Sequence, residues 1–336
     1  MLDDPEADPW GQLLDLGAGV VGPLPWWPQP TTRTVAGTVV PALLGDAVQV
    51  AGRPADAPRV FADAGIALLR TPAEEGPEIW CRCDGGPHGF LSIAAHAHAD
   101  ALSVEVRHGG VEVLVDPGTY CYHGEPAWRS YFRSTLAHNT VEVDGTSQAV
   151  EGGPFLWSTQ PRSEVLEMHV GPRTEQTWTA RHTGYARLDA AAGHTRTVTL
   201  DSVDRTLALS DEVTAEQPAP VRMALHLGPE VRVRLTGSHA ELRWDGPDGP
   251  VAAHLHLPDV LDWSAHRGET DPVLGWYSPR FGERMPTTTL VGSGAVEGRL
   301  VLRTVLAFPP APDGSAAESA LRDELPVSLG GGGSRG

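Results

Sequence analysis

The sequence predicts a mainly β protein: a two-layer antiparallel β-sandwich preceded by a short helical segment. Three observations lead there. Short runs of alternating apolar and polar residues fill the chain from Val60 onward, Gly, Pro and Asp cluster between those runs, and apolar residues at helical spacing occur in the first 45 residues. Period-two alternation repeated at short intervals describes strands with one face in a core and one in water, the pattern of antiparallel sheets in layers. A chain of 336 residues is long enough to bury one large core or two modest ones.

In chain order, residues 9–22 (PWGQLLDLGAGVVG) and 31–45 (TTRTVAGTVVPALLG) read as two short helices joined by a Pro- and Trp-rich connector that holds the pair Trp26-Trp27. Residues 51–58 (AGRPADAP) read as a linker. The expected organisation is a helical segment over 1–58, a sandwich over 59–310 and a flexible tail over 311–336. The tail is Pro/Ala/Ser-rich and ends in GGGGSRG, a composition that cannot offset ordering entropy. Strands are expected at Ile79–Cys83, Leu102–Val106, Val111–Val115, Thr140–Val143, Thr195–Leu200, Val231–Leu235 and Leu300–Val305, with hairpin turns at His108-Gly109-Gly110 and Asp144-Gly145. Cys81, Cys83 and Cys121 are too few and too odd in number for a disulfide scaffold. They read as buried small apolar residues, with a pairing to Cys121 as the alternative.

The formal charge of −18 and the pI near 5.1 argue against nucleic acid or an anionic membrane surface as partner. No apolar run approaches the ~20 residues needed to span a bilayer. The N-terminus MLDDPEADPW has neither the basic nor the apolar region of a secretion signal, so either the protein stays inside or its addressing segment lies outside this chain. Every basic residue is arginine and Asn139 is the only asparagine, a usage that points to a GC-rich bacterial genome.

Chemistry-bearing residues concentrate in one stretch: six of the fourteen histidines lie between His88 and His138, and three of the five tyrosines between Tyr120 and Tyr131. His96-Ala97-His98-Ala99-Asp100, if extended, places His96, His98 and Asp100 on one side. Asp116-Pro117-Gly118 closes the partner strand, with Asp116 opposite Leu102 on the same face. Four residues of strand span roughly 13 Å, so the segment 96–100 must curl back for His98 and Asp116 to share an ion. Taken alone, Asp-Pro-Gly is also a common turn and the histidines also fit a surface turn. His98, Asp116 and His138 together form a two-His, one-carboxylate set that suits zinc and leaves a position open.

HAHADALS, DPGTYCYHG and WRSYFRSTLAHNTVEVDGTSQ, in this order, resemble the signature of the heparinase II/III C-terminal domain of polysaccharide lyases. The resemblance is dense over residues 88–148 and looser to about residue 308. It implies Zn2+ held by His98, Asp116 and His138, with His96 as the active-site histidine. It also implies that Arg129, Arg133, Asn139 and Gln148 shape the site or contact substrate, an acidic polysaccharide. Ala97 stands where the family often has Gly. Family members resemble a two-part machine whose N-terminal α/α-toroid supplies a tyrosine acid/base and an Asn or His. Residues 1–58 contain neither tyrosine nor histidine, so they are expected to be a toroid remnant, with the rest of the toroid missing or on a separate chain. The expected function is the C-terminal part of a lyase that cleaves uronic-acid glycans by β-elimination, weak or inactive as this isolated chain. A non-catalytic zinc-stabilised module that binds a glycan or a protein is the alternative. Seven acidic side chains against three arginines in residues 88–148 leave no basic groove in view.

Overall fold

The computed structural model describes residues 9–22, 24, 33–45, 59–72, 76–90, 92–247 and 249–310. The expected linker at 51–58, the tail at 311–336 and Trp26-Trp27 lie outside the described residues. The chain divides into two compact units, Met1–Pro58 and Arg59–Gly336.

The first unit holds two helices, Pro9–Val21 and Val35–Leu44. Thr34 caps the second, its hydroxyl accepting from Gly37 N at 2.8 Å. The buried Asp15 carboxylate accepts from both Thr34 N (2.7 Å) and Thr34 Oγ1 (2.8 Å), tying the helices together at the cap. A Cβ at Gly37 would stand 2.0 Å from Asp15 Oδ2, so the close approach requires glycine there. No described helix is long and apolar enough to cross a membrane.

The second unit is the sandwich. A five-stranded sheet runs in chain order through Val60–Phe61, Ile66–Arg70, Ile79–Asp84, Val104–His108 and Val111–Leu114. A ten-stranded sheet faces it, centred on two long antiparallel strands, Thr206–His226 and Thr288–Ala307. On one side of this pair lie Gly193–Asp201, Glu175–His182 and Ser163–His169. On the other lie Gly249–His256, His239–Gly246 and Arg232–Thr236. Alternate residues point inward: Ala67, Leu69, Ile79, Cys81, Cys83, Val104 and Val106 from the small sheet meet Trp178, Val198, Leu200, Leu209 and Trp244 from the large one in a single core. Burying such side chains contributes roughly 1.5–3 kcal/mol each. Cys81, Cys83 and Cys121 are all free and buried.

Three local expectations are corrected. The strand after the histidines begins at Val104, because Leu102 takes a left-handed φ of 63° and breaks the extended run. A bulge between Val106 and Arg107 then shifts the hairpin, pairing Val106 with Leu114, so Asp116 does not lie opposite Leu102. Residues 96–100 form bends rather than a strand, and His96 and His98 do not share a side: His96 is exposed while His98 is buried.

Candidate metal centre

Three separate segments deliver the donors. His98 comes from the bend before the strand Val104–His108, Asp116 from the loop leaving Val111–Leu114, and His138 from the end of a helix and 3-10 turn, Pro126–Arg133 and Thr135–Ala137. Their donor atoms all lie within 4.8 Å of one another. His98 Nδ1 stands 3.2 Å from His138 Nε2, and His138 Nε2 stands 3.5 Å from Asp116 Oδ2. A tetrahedral zinc with bonds of about 2.0–2.1 Å holds its donors about 3.3 Å apart, so the spacing fits.

The second atom of each ligand is engaged, which fixes the first. His138 Nδ1 donates to the Ser134 carbonyl at 2.7 Å and leaves Nε2 bare. His98 Nε2 lies 3.4 Å from Thr119 Oγ1, leaving Nδ1 toward the centre. Asp116 Oδ1 accepts from Gly118 N at 2.8 Å and leaves Oδ2. Gly118 has a φ of 83°, and a Cβ there would stand 2.4 Å from the Ser278 carbonyl oxygen, so the turn that holds Asp116 requires glycine. Protonation states agree with ligand duty. Burial, then the neighbouring His138, pushes His98 down to about 3, keeping it neutral. Enclosure would by itself raise Asp116, whose side chain keeps 33% exposure, but His138, His98 and the Gly118 N–H hold it below the usual carboxylate range. Asp100 is not in the donor cluster, and burial pushes it up to about 7.

His96 is exposed on the far side of the bend, its ring 5.4 Å from Tyr122 and 6.1 Å from Phe155. Tyr122 in turn lies 5.0 Å from Phe281, which is 64% exposed, so the imidazole sits at an aromatic rim open to solvent.

The other four expected site residues lie behind this rim, and none reaches the surface. Asn139 is 0% exposed. Its amide donates to the carbonyls of Val104 (2.8 Å) and Val115 (2.9 Å), and its Oδ1 accepts from His226 N (2.7 Å). With those groups engaged it clamps the chain beside Asp116 and His138 instead of touching a substrate. Gln148, also buried, donates from Nε2 to the Ala101 carbonyl at 3.0 Å. Arg129 and Arg133, one turn apart on the helix, are covered by the loop after Val150–Gly153: both donate to the Pro154 carbonyl, at 3.2 Å each. Arg133 packs 4.1 Å over Trp157 and Arg129 5.1 Å over Tyr122, so Arg129 underlies the rim around His96. Arg129 Nη1 and Arg133 Nε and Nη2 are buried without a hydrogen-bond partner.

The sequence profile of the heparinase II/III-like C-terminal domain matches residues 53–317. The chain belongs to the heparinase II/III-like family. Solved structures agree in fold. A heparinase III gene product superposes with a TM-score of 0.61 at 18% identity, over 81% of this chain and 39% of its own. Heparan sulfate lyase HepC from Pedobacter heparinus gives 0.61 at 14%, over 78% of this chain and 38% of its own. The chain thus spans about two fifths of the length of the heparinases it resembles. No curated protein sequence matches it.

Within this heparinase II/III-like chain, sequence reasoning missed the rim residues Tyr122, Phe155 and Phe281, and it missed Arg196. Arg196 is buried and paired with Asp211 (Nε–Oδ1 2.7 Å). It crosses from the large sheet to donate to the carbonyls of Leu102 (2.7 Å) and Asn139, bracing both histidine-bearing segments at once. Its only sequence signal was a charge at an inward position of the strand Gly193–Asp201.

Proposed function

We propose that this chain is the C-terminal part of a polysaccharide lyase that cleaves uronic-acid-containing glycans by β-elimination, with His98, Asp116 and His138 binding Zn2+ and His96 acting in the cleft. The observation that carries it is the convergence of those three donors directly behind an exposed histidine. Bound zinc would chiefly supply rigidity to the three segments. In β-elimination the C5 proton leaves to a base, the C4=C5 double bond forms, and the C4–O bond breaks as the leaving oxygen takes a proton. The carboxylate on C5 must be neutralised to make that proton acidic. His96 is placed for one of these tasks, either proton abstraction or carboxylate neutralisation. Tyr122, Phe155 and Phe281 offer apolar faces for the sugar ring. The other tasks need groups that residues 1–58, without tyrosine or histidine, do not provide.

Two measurements test this reading. Elemental analysis of the purified chain is expected to find zinc in the wild type, lost from this centre in His98→Ala and in His138→Ala; unchanged metal in both would sink the centre. Unsaturated-uronate absorbance on heparan and alginate is expected to show little or no turnover by the 336-residue chain, whereas robust turnover would overturn the incomplete-site argument. Glycan binding that survives His96→Ala but fails on chelation would favour a non-catalytic module.

A further inference from the structure

The antiparallel strands His239–Gly246 and Gly249–His256 pair so that His239 lies directly across from His256, and Glu241 across from His254. Their alternate residues Ala240, Leu242, Ala253 and Leu255 are in the core, so His239, His254 and His256 share the outer face. Two histidines at i and i+2 on one strand plus a third on its neighbour place three imidazoles within a few ångströms without any long-range folding. The rings are already together: the His239 and His254 centroids are 5.3 Å apart, those of His239 and His256 5.1 Å, and His254 Nδ1 stands 3.3 Å from His239 Nε2. That separation equals the donor–donor edge of a tetrahedron with metal–nitrogen bonds of about 2.0–2.1 Å.

We infer that His239, His254 and His256 form a second metal site on the outer face of the large sheet, one that takes a divalent transition ion such as Zn2+, Ni2+ or Cu2+. Imidazole donors select ions of this class over Mg2+ or Ca2+. His254 and His256 are exposed, so a ring rotation can bring the third nitrogen to the ion, and a depression lined by Ser238, His239, His256, Asp259 and Arg303 leaves room for water to complete the shell. The neighbouring charges are mixed. Glu241 is held by Arg243 at 2.9 Å and is not a free ligand, while Asp259 offsets Arg303 in the same depression. Arg234 lies directly across from Glu241 on the adjoining strand. None of these residues belongs to the His98–Asp116–His138 centre, so the two sites are separable.

Equilibrium dialysis of the full 336-residue chain against Zn2+ alone, with elemental analysis, tests the site. Wild type is expected to hold two equivalents. His254→Ala/His256→Ala, changes confined to exposed side chains, is expected to hold one, and to lose retention on immobilised Ni2+. His98→Ala/His138→Ala is expected to lose the other equivalent while keeping Ni2+ retention. Cu2+ added to the wild type after one equivalent of Zn2+ is expected to show an electron paramagnetic resonance signal split by more than one imidazole nitrogen. Zinc stoichiometry and Ni2+ retention that are unchanged in His254→Ala/His256→Ala, or a copper signal with a single nitrogen, would overturn the inference.

Discussion

Asn139 shows how a single amide can brace the proposed metal centre without joining its donor set. Its Nδ2 holds two carbonyls 2.8 and 2.9 Å away, one in the strand Val104–His108 and one just past the strand Val111–Leu114, and its Oδ1 holds the His226 amide at 2.7 Å. Only a side chain with two donors and an acceptor on one planar group can do this, which accounts for the one asparagine in a chain otherwise without them. Replacing it by alanine strands two carbonyls and one N–H in the core, each at about 1–3 kcal/mol. Asn139→Ala is therefore expected to lower stability in chelator by at least about 3 kcal/mol, read from urea unfolding, and to weaken zinc binding as Asp116 and His138 loosen. Asn139→Asp keeps the acceptor but turns the donor side into an oxygen facing two carbonyl oxygens, so it is expected to be no better than alanine. A loss below 1 kcal/mol in either variant would contradict the clamp.

At the level of elements, the strands were legible because a sheet with one face in a core writes its period into the sequence. Ile79–Asp84 and Gly193–Asp201 alternate buried and part-exposed without a break. The Asp144-Gly145 turn was equally plain, and both residues adopt the positive φ its type requires, 57° and 59°. What escaped was of three kinds. The 21-residue strand Thr206–His226 carries Pro218 and Pro220, residues that interrupt a strand pattern but here fall at or near its pairing irregularity between Ala215 and Ala219. The helix Pro126–Arg133 sets Trp128, Tyr131 and Phe132 at helical spacing, but its eight residues give barely two turns of pattern to read. The curl at 96–103 turns on Leu102 at positive φ, for which no local sequence rule exists. Of the candidate site, the three donors that converge in space were visible as residue types in a family signature, whereas the bracing by Arg196 depends on a crossing between layers that spacing cannot express. That crossing makes a prediction. Arg196→Met breaks a buried ion pair and leaves the Asp211 carboxylate with only the His194 imidazole, 2.7 Å away, as partner, a cost of about 3–5 kcal/mol, and frees the carbonyls of Leu102 and Asn139, so zinc affinity is expected to fall roughly 10–100-fold. Arg196→Met/Asp211→Asn is expected to recover part of the stability but not the affinity. If the double variant regains full affinity, Arg196 is an ion-pair partner and nothing more.

Across the whole molecule, histidines sealed into the core couple folding to pH. Burial, then Arg205, pushes His108 down to about 4, and burial, then His138, pushes His226 down to about 3. In the unfolded chain both titrate near the ordinary value of about 6.5. Because the folded values are depressed, the unfolded state binds more protons over this interval, and stability rises with pH. The contribution is complete above about pH 6.5 and drains away as pH falls toward 4, at about 1.4 kcal/mol per pH unit for each histidine. Two such groups withdraw several kcal/mol by pH 4, against a total stability of about 5–15 kcal/mol for a typical domain, so the metal-free sandwich is expected to unfold in mild acid. Urea midpoints measured in chelator from pH 8 to pH 4 are expected to be flat above pH 7 and to fall below it. His108→Gln removes one titrating group stacked on Phe308 at 5.0 Å while keeping a polar end for Arg205; it is expected to lower stability at pH 8 yet make the acid slope shallower by about one proton. A slope identical to wild type would show that His108 already exchanges protons freely in the folded state, and that burial in this core does not control its charge.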